Sequence, residues 1–195
     1  MGNLSSVFKA LEKLGADASI TGSAAEIEKA GSVILPGVGN FGDGMRHLQA
    51  SGLDRAVRKS IKAGKPFLGI CLGMQLLMDE SEEAPGLPGL GIFKGRVVRF
   101  PKTCLKVPHM GWNDINIEGG NPNLAGIKDG TYFYFVHSYY VKPDDSKINA
   151  AICNYGLDFS ACIGEKNVFA TQFHPEKSQA AGLCILKNWI SEKKG

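Results

Sequence analysis

The stretch Lys65-Pro66-Phe67-Leu68-Gly69-Ile70-Cys71-Leu72-Gly73-Met74-Gln75-Leu76-Leu77 constrains the fold more than any other part of the chain. An apolar run entered through a proline passes a cysteine with a glycine two residues to either side. It then continues as Met74, Leu76, Leu77 and Met78. Read physically, this is a buried strand, a sharp turn and the start of a helix. Gly69 and Gly73 leave room for the turn and put the Cys71 side chain at its apex, near the positive end of a helix, where thiolate is favoured. A free cysteine is more often a small buried hydrophobe. The paired glycines and the strand-to-helix setting shift the reading towards a reactive thiol.

The same glycine spacing builds the Gly-x-Ser-x-Gly elbow that presents a nucleophilic serine in hydrolases. Cys71, Cys104, Cys153, Cys162 and Cys184 form an odd set of five with no Cys-x-x-Cys pair. That argues against a disulfide framework and against a zinc site, and fits a reducing compartment. No apolar run approaches a membrane span and no secretory pattern opens the chain, so the cytoplasm is the expected location. A net charge of +3 is too small to point to nucleic acid. Arg55, Arg58, Lys59, Lys62 and Lys65 cluster at helical spacing opposite Leu53, Val57 and Ile61, the pattern of a solvated helix face. Residues 1–6 match the loose pattern for N-myristoylation. Asn3 reads better as the cap of an amphipathic helix with Leu4, Val7, Phe8, Leu11 and Leu14 inward.

With 195 residues, a single domain over 1–195 is expected. The first helix ends at Gly15, and a short strand is expected around 18–20. Ser32-Val33-Ile34-Leu35 is a buried strand running into Pro36-Gly37-Val38-Gly39-Asn40-Phe41-Gly42-Asp43-Gly44. Glycine this dense behind a strand suggests backbone amides turned towards a ligand. A phosphate loop is excluded, because its Gly-Lys-Ser/Thr ending is absent. Helices at about 45–50 and 53–63 lead to the Cys71 strand. Strand–helix alternation up to residue 78 implies a parallel sheet covered on both faces. After a turn-rich loop at 84–91 the pattern changes to strands at 95–100, 113–117, 131–136, 148–153, 158–163 and 167–173. A final helix at about 178–192 buries Leu183, Leu186, Trp189 and Ile190. The expected fold is a three-layer α/β single domain with a mostly parallel central sheet, a strand–elbow–helix unit and a β-rich second half.

A thiol nucleophile needs a base, and the base needs a group that orients it. The histidines are 47, 109, 137 and 174, and His47 lies in a polar helical stretch. His174 stands in Ala170-Thr171-Gln172-Phe173-His174-Pro175-Glu176-Lys177-Ser178, delivered by a β-rich run to a strand end, where open α/β sheets place their ligands. Pro175 fixes the backbone, and Glu176 follows within reach of the imidazole. Cys71, His174 and Glu176 make a complete nucleophile, base and orienter on paper.

Gly69-Ile70-Cys71-Leu72-Gly73-Met74-Gln75 together with Phe173-His174-Pro175-Glu176 resembles the class I, or triad, glutamine amidotransferases. Pro36-Gly37-Val38-Gly39-Asn40-Phe41, Pro108-His109-Met110-Gly111-Trp112-Asn113 and Phe135-Val136-His137-Ser138-Tyr139-Tyr140 narrow the resemblance to the glutaminase subunits of imidazole glycerol phosphate synthases. It covers nearly the whole chain, with the motifs in the expected order. What the resemblance implies is a heterodimer in histidine biosynthesis, with no cofactor and no metal. Glutamine would be hydrolysed to glutamate and ammonia through a thioester on Cys71. The ammonia would be channelled to a separate cyclase subunit, a (β/α)8 barrel, that makes imidazole glycerol phosphate. His174 would act as base, with Glu176 as its orienter. The amide of Leu72, with that of Val38 or Gly39, would form an oxyanion hole, and the glycines around Val38 would let that loop turn. Gln75 and Glu83 would face the α-amino end of glutamine, with the backbone of Ser138 and Tyr139 opposite. Lys177, His109 and Trp112 would lie at the partner interface. Plainer roles stand beside these: exposed helix positions for Gln75 and Glu83, core packing for Tyr139, a packed turn for His109 and Trp112.

Related proteins carry an apolar strand just before the motif that begins here at Met1-Gly2-Asn3, and that strand is missing. Its absence should leave apolar surface and unpaired backbone groups on its neighbours, and a start recorded too late is the favoured explanation. Three readings compete. The glutaminase of pyridoxal phosphate synthesis is opposed by the Pro-His-Met-Gly-Trp-Asn run. A cysteine peptidase would leave the substrate loops unexplained. A binding or regulatory subunit with a dead glutaminase is opposed by the presence of Cys71, His174 and Glu176.

Overall fold

A computed structural model describes residues 2–102 and 105–191. Its main sheet is organised around β2 (Phe67–Cys71), buried at every position. β1 (Val33–Gly37) and β10 (Val168–Thr171) flank it, both parallel. From β10 the sheet continues through β9 (Asp158–Glu165), β8 (Asn149–Asn154), β5 (His109–Ile117) and β6 (Thr131–His137), each joined antiparallel to the last. Among the described residues a second sheet contains β3 (Glu80–Ser81), β4 (Gly95–Arg99) and β7 (Tyr139–Pro143). The parallel part expected from the first half is therefore β1, β2 and β10. The β-rich second half makes the sheet more mixed than the sequence suggested, because hairpin-length connections can join only antiparallel neighbours.

Alternation along β2 splits the core into two. Leu68 and Ile70 pack with Val7 and Leu11 of α1 (Gly2–Lys13) and with Ile185, Leu186 and Trp189 of α6 (Gln179–Ser191). Phe67 faces the other side, against Ile27 of α2 (Ala24–Lys29), Met45 and Leu48 of α3 (Phe41–Ala50), and Leu53 and Val57 of α4 (Leu53–Lys62). This is the three-layer arrangement, and a period of two along one strand is its physical origin. α3 starts four residues earlier than expected because Asn40 caps it, its side chain accepting from the Asp43 amide at 2.8 Å. The basic face of α4 is exposed as read, except that Arg58 also donates to the carbonyls of Gly89 and Leu90.

Some expectations fail locally. α1 already includes Asn3, which is therefore inside the helix rather than capping it, and Leu4 is 42% exposed rather than inward. No strand forms around 18–20. A strand needs a ladder partner, and among the described residues no strand pairs with that segment. β1 is instead the edge of the main sheet, and its free side faces a cavity of about 400 Å³ lined by Val7, Phe8 and Leu11 of α1 and by Ala18 and Ile20. Cys71, Cys153, Cys162 and Cys184 are free thiols, and Cys104 lies outside the described residues. Among the described residues no helix is long and apolar enough to cross a membrane.

Candidate active site

Cys71 ends β2 with φ +54° and ψ −109°, a backbone conformation costly for any residue with a Cβ. Strain of this kind persists only where the surroundings enforce it, and here the glycines do. A Cβ on Gly69 would lie 2.9 Å from the Gly73 carbonyl oxygen, and one on Gly73 would overlap the carbonyl oxygen of Leu35 in β1. The turn is possible only because the next chain segment passes against bare backbone. Gly73→Ala is accordingly expected to destabilise the fold by about 1–3 kcal/mol, as overpacking against rigid backbone does. Gly120→Ala, with no atom within 4 Å of the added methyl, should stay within ~0.5 kcal/mol of the parent. Urea midpoints of the two variants check this, and equal midpoints would remove the steric account of the elbow.

The helix after the elbow, α5 (Leu72–Gln75), is a single turn. A stub this short carries little macrodipole, so the helix-end stabilisation of thiolate expected from the sequence is weak. Other groups must act on the sulfur.

His174 follows β10 and opens a 3-10 turn over Pro175–Lys177. The segment is clamped onto β6: the His174 amide donates to the Tyr134 carbonyl at 3.0 Å, and the Ser178 hydroxyl donates to the His174 carbonyl at 2.7 Å while accepting from the Tyr134 amide at 3.0 Å. His174 Nδ1 donates to Glu176 Oε1 at 2.9 Å, and both side chains are buried. Burial opposes charging of the ring. Hydrogen bonds with Cys71 and Glu176, and the charges on both, outweigh it and raise the His174 pKa to about 9. At neutral pH the imidazole therefore holds its second proton, beside the sulfur and backed by a carboxylate.

Cys71, Leu72 and His174 share a cavity of about 300 Å³ with Val38, Gly39, Gln75, Glu83, Ser138 and Tyr139. The expected nucleophile, base, oxyanion-hole and glutamine-binding residues thus line one cavity, with Glu176 behind His174. Gly39 has φ +104°, a conformation suited to glycine, and Val38 is exposed at the cavity mouth. Gln75 and Glu83 are not the exposed helix positions of the plainer reading. Gln75 is buried, its amide donating to the Tyr139 carbonyl at 2.9 Å and to Gln172 Oε1 at 3.1 Å. Glu83 Oε2 accepts from the Phe41 amide at 2.7 Å, tying the start of α3 to the cavity.

His109 stands apart from its expected place. It is buried among Phe135, Tyr155 and Phe100 and does not reach the surface. Aromatic neighbours from four separate segments enclose it, which no local pattern reveals. Its partner is His137. A carbonyl only accepts, so the 2.8 Å contact with Tyr139 puts the His137 proton on Nδ1. His137 Nε2 then accepts from His109 Nδ1 at 3.0 Å, and His109 Nε2 accepts from the Asn113 amide at 3.3 Å. Burial keeps both rings neutral, lowering His109 to about 4 and His137 to about 3. Trp112 and Lys177 do lie outside, Lys177 with its ammonium 5.8 Å from the Tyr134 ring centre.

Sequence reasoning missed His137 and Gln172 as parts of this site. A polar residue inside an otherwise apolar β-run was the available signal at both positions.

The family model described as glutamine amidotransferase class-I matches residues 1–192. The chain belongs to the class-I glutamine amidotransferases. Among curated relatives of this amidotransferase is the imidazole glycerol phosphate synthase subunit HisH of Geobacter sulfurreducens, 49% identical over 97% of this chain and 93% of the relative. The protein of the same name from Methanosarcina acetivorans is 52% identical, over 97% and 94%. Among solved structures, one described as a glutamine amidotransferase superposes with a TM-score of 0.76 at 21% identity, covering 97% of this chain and 93% of that one. The glutaminase domain of CTPS from Trypanosoma brucei gives 0.67 at 16%, over 95% and 87%. These structural likenesses bear on the fold alone. They show that the amidotransferase keeps its family architecture despite the open edge at β1.

Proposed function

We propose that this class-I amidotransferase is the glutaminase subunit of an imidazole glycerol phosphate synthase, hydrolysing glutamine and passing ammonia to a cyclase subunit in histidine biosynthesis. The observation that carries the reading is the strained Cys71 facing the same cavity as His174, whose Nδ1 is held by Glu176 at 2.9 Å. The relatives named as HisH support the pathway.

In this mechanism the Cys71 thiolate attacks the side-chain amide carbon of glutamine. The oxyanion is held by the amide of Leu72 and, once the glycine loop turns, by that of Val38 or Gly39. As the tetrahedral intermediate collapses, the C–N bond breaks, His174 gives its proton to the departing nitrogen, and ammonia leaves a thioester on Cys71. Water then attacks the thioester, His174 taking its proton, and glutamate departs with the thiolate restored. Glu176 holds the ring of His174 in place throughout and stabilises it whenever it carries the second proton. Gln75 and Glu83 recognise the α-amino end of glutamine through the oxygens their hydrogen bonds leave over, and Ser138 and Tyr139 lie opposite.

The partner surface in this reading is the outer face of β5 and β6. Met110, Trp112 and Tyr132 are 63%, 46% and 57% exposed there, and Lys177 stands beside them. Large apolar side chains clustered on one face mark an interaction site. The test is glutamate release with and without the cyclase subunit and its ligand. Slow release alone, rising about 10- to 100-fold with the partner, is expected from an ordinary coupling free energy. Full turnover without a partner would overturn the subunit reading, and no glutamate under either condition would overturn the glutaminase reading.

A further inference from the structure

Gln172 has no part in the mechanism above, yet it is fully buried with both amide atoms engaged. Its Nε2 lies 3.7 Å from Cys71 Sγ, and its Oε1 accepts from Gln75 Nε2 at 3.1 Å. An amide can be turned end for end, so the contact with sulfur means little unless its orientation is fixed. Here it is fixed by a backbone carbonyl. Tyr139 O can only accept, which turns the NH2 of Gln75 towards it. The second hydrogen of that NH2 requires an acceptor at Gln172, which turns the oxygen of Gln172 to Gln75 and its NH2 to the sulfur. His137 donates to the same carbonyl from the other side, pinning it in place.

We propose that Gln172 is a positioning residue for the Cys71 nucleophile, its amide donating to the sulfur in an orientation locked by Gln75 and the Tyr139 carbonyl. The proposal deepens the glutaminase reading and rests on it for its catalytic meaning. Its physical content is simple. Cys71 Sγ also lies 3.9 Å from the Val136 carbonyl, which can only take a hydrogen bond from the protonated thiol. Gln172 can only give one, and a donor is worth more to S⁻ than to S–H. The pair of contacts therefore discriminates between the two protonation states, with Val136 on the side of thiol and Gln172 on the side of thiolate. With α5 reduced to one turn, the neutral donor of Gln172 takes over part of the role that a longer helix would play. The titratable groups around the sulfur are His174 with Glu176 behind it, His137, Glu83 and Tyr139. Gln172→Met leaves this set of titratable groups unchanged, whereas Gln172→Glu adds one to it.

The test is the pH dependence of Cys71 alkylation by iodoacetamide, followed by mass spectrometry of the Cys71 peptide, in the full chain and in two variants. Gln172→Met keeps the length and removes both polar atoms. Gln172→Glu keeps an acceptor for Gln75 but sets a carboxylate where the donor stood, so Gln172→Met alone reads the loss of the donor without an added charge. Both should move the midpoint of alkylation, which belongs to the Cys71–His174 pair, upward by about one pH unit. Both should also lower kcat for glutamine about tenfold, with KM within about twofold in Gln172→Glu, which keeps the acceptor that holds the substrate-facing Gln75. A residue that merely fills space would cost melting temperature and leave the midpoint alone. An unmoved midpoint in a folded variant overturns the proposal. If neither variant folds, the unsubstituted protein decides. The side-chain NH2 resonances of Gln172 must shift when Cys71 is alkylated, and fixed resonances overturn the proposal. Alkylation needs no glutamine, so a wild-type chain that releases no glutamate would sink the glutaminase reading while leaving this result standing.

Discussion

Replacing Cys71 with alanine is expected to lower glutamate release by on the order of 10⁴-fold or more, because nucleophile, base and orienter act as one unit. No other residue lining the cavity carries sulfur, and without the thiolate His174 has nothing to activate but water. Alanine has the same Cβ as cysteine and keeps the φ of +54°, so the elbow itself should survive. Melting temperature and circular dichroism close to those of the parent establish this. In the presence of the cyclase subunit, the variant should still support product formation when ammonium salt replaces glutamine. A variant that released glutamate at the normal rate would move the chemistry away from Cys71. Loss of the ammonium-dependent reaction as well would mean that the substitution had damaged the complex rather than the nucleophile.

Glu176→Gln should lower kcat by on the order of 10⁴-fold, the scale seen when a triad carboxylate becomes an amide. Two effects combine. A carboxylate oxygen can only accept from Nδ1, which fixes the tautomer of His174. An amide can turn its NH2 to that nitrogen and put the ring proton on the wrong side. The substitution also removes one of the interactions that raise the His174 pKa to about 9 against the opposing effect of burial. The alkaline limb of kcat, expected near pH 9 in the parent, should therefore move to lower pH. The sign for stability follows from the same shift. A ring whose folded value lies above its unfolded value of about 6.5 stabilises the fold fully below that pH and loses the contribution as pH rises towards 9. Melting temperature of the parent should fall across that window and that of the variant should be flatter. Identical pH profiles for the two proteins would show that Glu176 does not set the state of His174.

Much of the site was legible before any coordinates. The elbow could be read because its cause is local: Gly69, Cys71 and Gly73 lie within five residues, and the backbone there has little choice. His174 and Glu176 could be read for the same reason, two residues apart behind a strand and held in shape by a proline. The failures share the opposite cause. The strand expected at 18–20 is absent because a strand exists only through its neighbour, and β1 shows an open edge on that side. β7 and α2 went unread because each is short and is stabilised by what it packs against. The resemblance put His109 at the partner interface, whereas the pleat of β5 turns it inward, away from the face that carries Met110 and Trp112.

The sequence by itself determined a thiol on a strained turn, an imidazole–carboxylate pair at a strand end, and the family to which both belong. Only the tertiary structure decided what surrounds the thiol. The contact of Gln172 with Cys71 joins residues 101 apart in sequence, that of Gln75 with Tyr139 joins residues 64 apart, and His109 meets His137 across 28. Strand order in the sheet brings these groups together, and no local pattern encodes strand order. A polar side chain in a buried run carries no sign of which distant atom will satisfy it, and for Gln172 that atom is the sulfur of Cys71.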